Sequence, residues 1–122
     1  MNIPRRTWAI KLNGRRIPVI IASKDDMVEA MQKSTFDGSP CPDSAPLGFF
    51  DPVRNKIYLN ENYYGTEIFA ETLSHEITHA MLRDITQLGT FNEEVIADVI
   101  GAQLMSVAEQ FKTLPKGWRV CP

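Results

Sequence analysis

His75 and His79 are the only two histidines in the chain, and they stand four residues apart with Glu76 between them. On an α-helix, residues at this spacing lie one above the other on a single face. Two imidazole nitrogens displayed in this way can reach one metal ion. Glu76 falls about 100° further round the helix, where it borders the metal without having to bind it. This is the H-E-x-x-H arrangement, in which the glutamate acts as general base on a metal-activated water. The surrounding residues suit such a helix. Leu73, Ile77, Ala80 and Met81 are apolar, and no charge other than Glu76 falls between the histidines.

A catalytic zinc takes three protein ligands and keeps one position open. With no further histidine, the third ligand must be a carboxylate or a cysteine. The next helical segment offers Glu94 and Asp98, again four apart, among Val95, Ile96, Ala97, Val99 and Ile100. Unpaired carboxylates in apolar surroundings are costly. Both would be satisfied with Glu94 on the metal and Asp98 accepting the ring N–H of a ligand histidine. Glu93 is a rival to Glu94, about 100° away on the same helix, but only Glu94 has an aspartate four residues later. Cys41, in a Pro- and Ser-rich stretch, could cap the open metal position, although a surface thiol is the simpler reading.

These two segments together resemble the gluzincin metallopeptidases, which join H-E-x-x-H to a downstream helix of pattern N-E-x-x-S-D. Glu94-Val95-Ile96-Ala97-Asp98 matches the E-x-x-x-D core, with Glu93 standing for the asparagine and Ala97 for the serine. Thr72 and Met81 also match the wider zincin consensus. The short interval from His79 to Glu94 is similar to minimal, single-domain members and to small peptidases of phage and other mobile elements. The resemblance covers roughly residues 48–105. It implies a zincin-like fold, a zinc ion held by His75, His79 and Glu94, an Asp98 that orients His75, and a peptide or protein substrate. It also implies that Lys56 to Asn60 is an edge strand on which extended substrate pairs by strand addition. Large gluzincins carry a further histidine or tyrosine that stabilises the oxyanion. Here the remaining donors are Tyr58, Tyr63, Tyr64, Arg83 and Arg119.

The elements that must position these residues can be read along the chain. Thr7 to Leu12 and Ile17 to Ile21 flank Asn13-Gly14, a strong hairpin signal, and Pro18 suggests an edge position or a bulge. Ser23 reads as the N-cap of a helix over 24–34, with Asp25 and Asp26 in its first turn and Met27, Ala30 and Met31 buried. Residues 35–48 read as a surface loop. Phe49-Phe50 and Lys56 to Asn60 form a second strand pair around a turn at Asp51 to Asn55. A long helix is expected from about Thr66 to Arg83. Another follows Gly89-Thr90 and runs to about Thr113, where Pro115 and Gly117 end it. The tail, Lys116 to Pro122, carries Trp118 and should pack back on the domain. The expected class is α+β: a small antiparallel sheet packed on an active-site helix and a second long helix, in one domain over 1–122.

Composition narrows the function. Apolar residues make up 43% and charged residues 23%, which favours a folded domain over disorder. A net charge of -2 gives no drive toward nucleic acid, and Arg5-Arg6 and Arg15-Arg16 read as solvated or edge-protecting charge. No run approaches the roughly 18 apolar residues of a membrane span. The N-terminal segment lacks the apolar core of a signal peptide, so the expected compartment is cytoplasmic. There Cys41 and Cys121 are expected to be free thiols. The expected activity is zinc-dependent endopeptidase, with Glu76 as general base. The alternative is a zinc-containing regulatory or protein-binding module without turnover.

Overall fold

The computed structural model describes residues 3–12, 14–34, 46–88, 93–115 and 118; the side chains of residues 34, 84–88, 93–99, 101 and 102 lie outside the description. Of the loop expected over 35–48, residues 35–45 lie outside the described residues and Gly48 opens a strand; Cys41, Cys121, Arg119, the Gly89-Thr90 boundary and most of the tail also lie outside the described residues.

Alternation of apolar and polar residues produces the first hairpin. Strand β1 (Thr7–Leu12) and strand β2 (Arg15–Ala22) pair antiparallel around Gly14, whose φ of +76° is the left-handed turn conformation that glycine adopts without strain. Helix α1 (Lys24–Ser34) follows, with the Ser23 hydroxyl accepting the Asp26 N–H at 3.2 Å as expected of an N-cap. Strand β3 (Gly48–Asp51) and strand β4 (Lys56–Asn60) form the second antiparallel pair. Their turn is organised by Asp51, fully buried, whose carboxylate accepts from the backbone of Val53 and Arg54 and pairs with the Arg54 side chain.

The four strands lie in the order β1-β2-β4-β3, with β2 and β4 parallel. The sheet is therefore mixed rather than antiparallel as expected, because α1 serves as the crossover that two parallel neighbours require. The same topology overturns the expected edge position of Lys56 to Asn60. β4 lies inside the sheet, paired on both sides, with Ile57 and Leu59 fully buried; the edge strand is β3. Pro18 lies in an interior strand of continuous register rather than at the expected edge or bulge. β2 pairs with β4 only from Val19 onward, so the missing N–H of Pro18 deprives no ladder of a donor.

Helix α2 (Glu67–Leu88) and helix α3 (Glu93–Phe111) complete the fold, α2 running about a turn beyond its expected end. Thr66 caps α2, its hydroxyl accepting the Phe69 N–H at 3.3 Å. One apolar cluster joins Ile10, Ile17, Val19 and Ile21 of the hairpin to Ile57 and Leu59 of β4 and to Phe69, Leu73, Ile77 and Ala80 of α2. Trp118 enters this cluster beside Phe69, and its indole N–H donates to the Arg5 carbonyl at 3.2 Å. The opposite face of β4, carrying Lys56 and Tyr58, lies against α1.

Candidate metal centre

Helix α2 presents two neighbouring stripes. Leu73, Glu76, Ile77 and Ala80 recur at three- and four-residue spacing and are buried against the sheet. Glu71, His75 and His79 lie on the adjacent stripe and are exposed. The helix is anchored by its apolar stripe, which fixes the rotation at which it offers the histidines to solvent.

The Nε2 atoms of His75 and His79 stand 3.1 Å apart, with the rings edge to face at a centroid distance of 4.7 Å. Two ligands of a tetrahedral zinc, each about 2.0–2.1 Å from the metal, stand about 3.3 Å apart. The two imidazoles thus converge close to the separation of two ligands on one such ion, at a distance that a hydrogen bond between the rings also satisfies. Together with Glu76 they form a group that could hold a metal ion, all three ligand atoms falling within 4.8 Å of one another.

Glu76 is 6% exposed. Burial raises its carboxyl above the usual glutamate range. The neighbouring His79 and His75, and a hydrogen bond from the Phe50 backbone, oppose that shift. A carboxyl that holds its proton more tightly is suited to accept one and hand it on.

The Phe50 contact comes from the sheet edge. Asn60 N–H donates to the Leu47 carbonyl at 3.0 Å. By the alternation of an antiparallel pair, Phe49 and Asp51 likewise turn their backbone groups toward β4. Gly48 and Phe50 turn theirs toward the open edge, where Phe50 meets Glu76. Gly48 is required by the close approach of strand and helix. A Cβ there would come within 2.5 Å of Thr72 Cγ2 and 3.2 Å of Glu76 Cγ. Thr72 has little freedom to retreat, because its hydroxyl donates to the Ile68 carbonyl at 2.7 Å.

Two clefts open on either side of Glu76. One, of about 380 Å³, is lined by Leu47, Gly48, Glu71, Thr72, His75 and Glu76. The other, of about 370 Å³, is lined by Gly48, Phe49, Phe50, Pro52, Glu76 and His79.

The structure brings His75, Glu76 and His79 together as their spacing predicts. Glu94 and Asp98 are on α3 with their rival Glu93, but their side chains lie outside the described residues. Of the oxyanion candidates, Tyr58 faces α1 among Lys33, Arg54 and Lys56. Tyr64 packs edge-on against Phe69. Arg83 remains on the helix of the site, one turn past His79, with its Nε buried and without a hydrogen-bond partner among the described residues. Sequence reading passed over Glu71 and the Gly48 edge. The signal for Glu71 was available, since it precedes His75 by the same four residues that separate the histidines. Nothing in the spacing announces Gly48.

Among the described residues, no helix is long and apolar enough to cross a membrane. No protein-family model, no curated protein and no solved structure matches this chain. The reading of the centre therefore rests on its own geometry and chemistry.

Proposed function

We propose that this chain is a zinc-dependent endopeptidase of zincin-like architecture, related in plan to the gluzincins. The observation that carries the reading is the convergence of two imidazole Nε2 atoms, 3.1 Å apart, beside a buried carboxylate whose proton affinity is raised. Two imidazoles and a carboxylate are a common ligand set of catalytic zinc. His75 and His79 would hold the ion through Nε2 and Glu94 would supply the third ligand, with Asp98 orienting His75. When bound, zinc supplies Lewis-acid activation of water and of the scissile carbonyl.

The remaining chemistry belongs to the chain. The Glu76 carboxylate accepts a proton from the attacking water and later delivers it to the leaving amine. The Phe50 N–H holds that carboxylate in place, so a base poised for transfer does not have to be reoriented in each cycle. The peptide lies in the paired clefts, with the scissile bond over Glu76.

The second reading, a zinc-containing regulatory or protein-binding module, draws support from one observation. No tyrosine lines either cleft among the described residues, so an oxyanion donor of that type is not at hand. Hydrolysis of unstructured protein by the zinc-loaded chain, lost in Glu76→Gln with zinc retained, supports the peptidase. Bound zinc with equal, zero turnover in both proteins supports the module.

A further inference from the structure

The two clefts differ in chemistry. Both share Gly48 and Glu76. Beyond the metal-centre group, the second cleft is lined by the apolar Phe50 and Pro52, and by Phe49, whose ring stacks on Tyr58 on the α1 side of the sheet. The first is lined by Leu47, Thr72 and Glu71, and among the described residues no lysine or arginine lines it. Glu71 is exposed, one helical turn before His75. Among the described residues no hydrogen bond or ion pair engages its carboxylate. Glu67, exposed and one turn earlier still, adds a second negative charge along the same stripe. One mouth of the site thus presents an unspent acid and the other an apolar wall of Phe50 and Pro52, with the buried base between them.

We propose that Glu71 is a specificity-determining residue, and that the site selects a peptide segment with a lysine or arginine on one side of the bond over Glu76 and a large apolar side chain on the other. This inference rests on the peptidase reading for the placement of the bond, but not for the charge preference itself. A carboxylate beside a cleft wall forms charge-assisted hydrogen bonds with an ammonium or guanidinium, and arginine can engage both oxygens. An acidic side chain in the same cleft would meet Glu71 as a like charge, so the selection works by exclusion as well as attraction. The cleft volumes, near 380 and 370 Å³, fall in the range of about 300–1,000 Å³ typical of small-ligand sites. Each has room for one long or aromatic side chain.

The test uses zinc-loaded Glu76→Gln protein, so that binding is read without hydrolysis, alone and combined with Glu71→Gln or Glu71→Lys. The probes are synthetic peptides of one fixed context. They carry Lys, Gln or Glu at one central position and Phe or Ala at the next, in both orders. Affinity is measured by calorimetry, and zinc content is measured for every protein. The expected result is that, in one of the two orders, the Lys–Phe peptide binds about tenfold more tightly than the Glu–Phe peptide. Glu71→Gln should level that preference and Glu71→Lys should reverse it, with zinc content unchanged.

Loss of zinc in Glu71→Gln would make Glu71 a ligand and overturn the proposal. A lysine preference that survives Glu71→Gln, or binding blind to charge, would overturn it equally, as would failure of every peptide to bind. The fate of the peptidase reading is separate. If Lys–Phe peptides bind selectively but zinc-loaded wild type cleaves none of them, that reading fails while the charge selection stands.

Discussion

The two edges of the sheet are finished in opposite ways. At β1, the outward-facing backbone of Lys11 is closed off by α3, whose Gln110 side chain accepts the Lys11 N–H at 2.7 Å and donates to its carbonyl at 2.9 Å. That edge is sealed by a side chain that imitates a strand, one of the ways proteins blunt a reactive edge. At β3, the outward-facing backbone lies over the candidate metal centre, with the Phe50 N–H spent on Glu76 and clefts on both sides. One edge is capped at Lys11, and among the described residues no strand pairs with the other, which lies over the candidate metal site.

The largest effect expected from this contrast falls on Glu76. Glu76→Gln should retain zinc and lower hydrolysis by about 10²–10⁴-fold, the usual contribution of a positioned general base; turnover of a quenched peptide beside zinc content checks it. Full activity in this variant would remove Glu76 from the reaction. Next comes the open edge itself. Gly48→Val places a branched side chain where a Cβ alone reaches Thr72 Cγ2 at 2.5 Å. It should destabilise the fold by about 1–3 kcal/mol and also reduce turnover, since strand and helix must part at Glu76. Denaturant unfolding and kinetics on the same sample separate the two effects.

The sealed edge should respond differently. Gln110→Ala removes both bonds to Lys11 and should cost about 1–2 kcal/mol of stability with zinc content unaltered. If it changed zinc binding instead, the two edges would be coupled and the contrast would weaken.

The smallest effect is one of pH. The folded chain holds the Glu76 carboxyl above its ordinary range, chiefly through burial. Below the unfolded value of about 4.3 both states carry the proton, and that contribution to stability is fully present. As pH rises through the folded value the carboxyl must ionise in a buried place, and the contribution is lost. Metal-free wild type should therefore lose stability relative to metal-free Glu76→Gln as pH rises toward neutrality, the difference becoming independent of pH below about pH 4. Thermal unfolding of both across that range checks the sign.

Local signals made the elements of this fold legible. Gly14 in the hairpin turn, Ser23 as a cap and the apolar spacing of Leu73, Ile77 and Ala80 each state their role within a few residues. The convergence of His75 and His79 was legible for the same reason, because helical spacing alone dictates it. What was not legible was pairing between distant segments. Lys56 to Asn60 reads as a strand, but nothing within it says that β2 will lie parallel on one side and β3 antiparallel on the other. Edge and interior were exchanged on that account. The role of Gly48 was hidden likewise, since it depends on Thr72 and Glu76, more than twenty residues later.

The most direct test of the central claim is the metal content of purified wild type, His79→Ala and Glu94→Ala, by elemental mass spectrometry, with peptide hydrolysis measured on each. The account predicts about one zinc per chain in wild type, a loss in both variants, and turnover that follows the metal. Wild type that binds no zinc, and whose stability zinc does not raise, would contradict it.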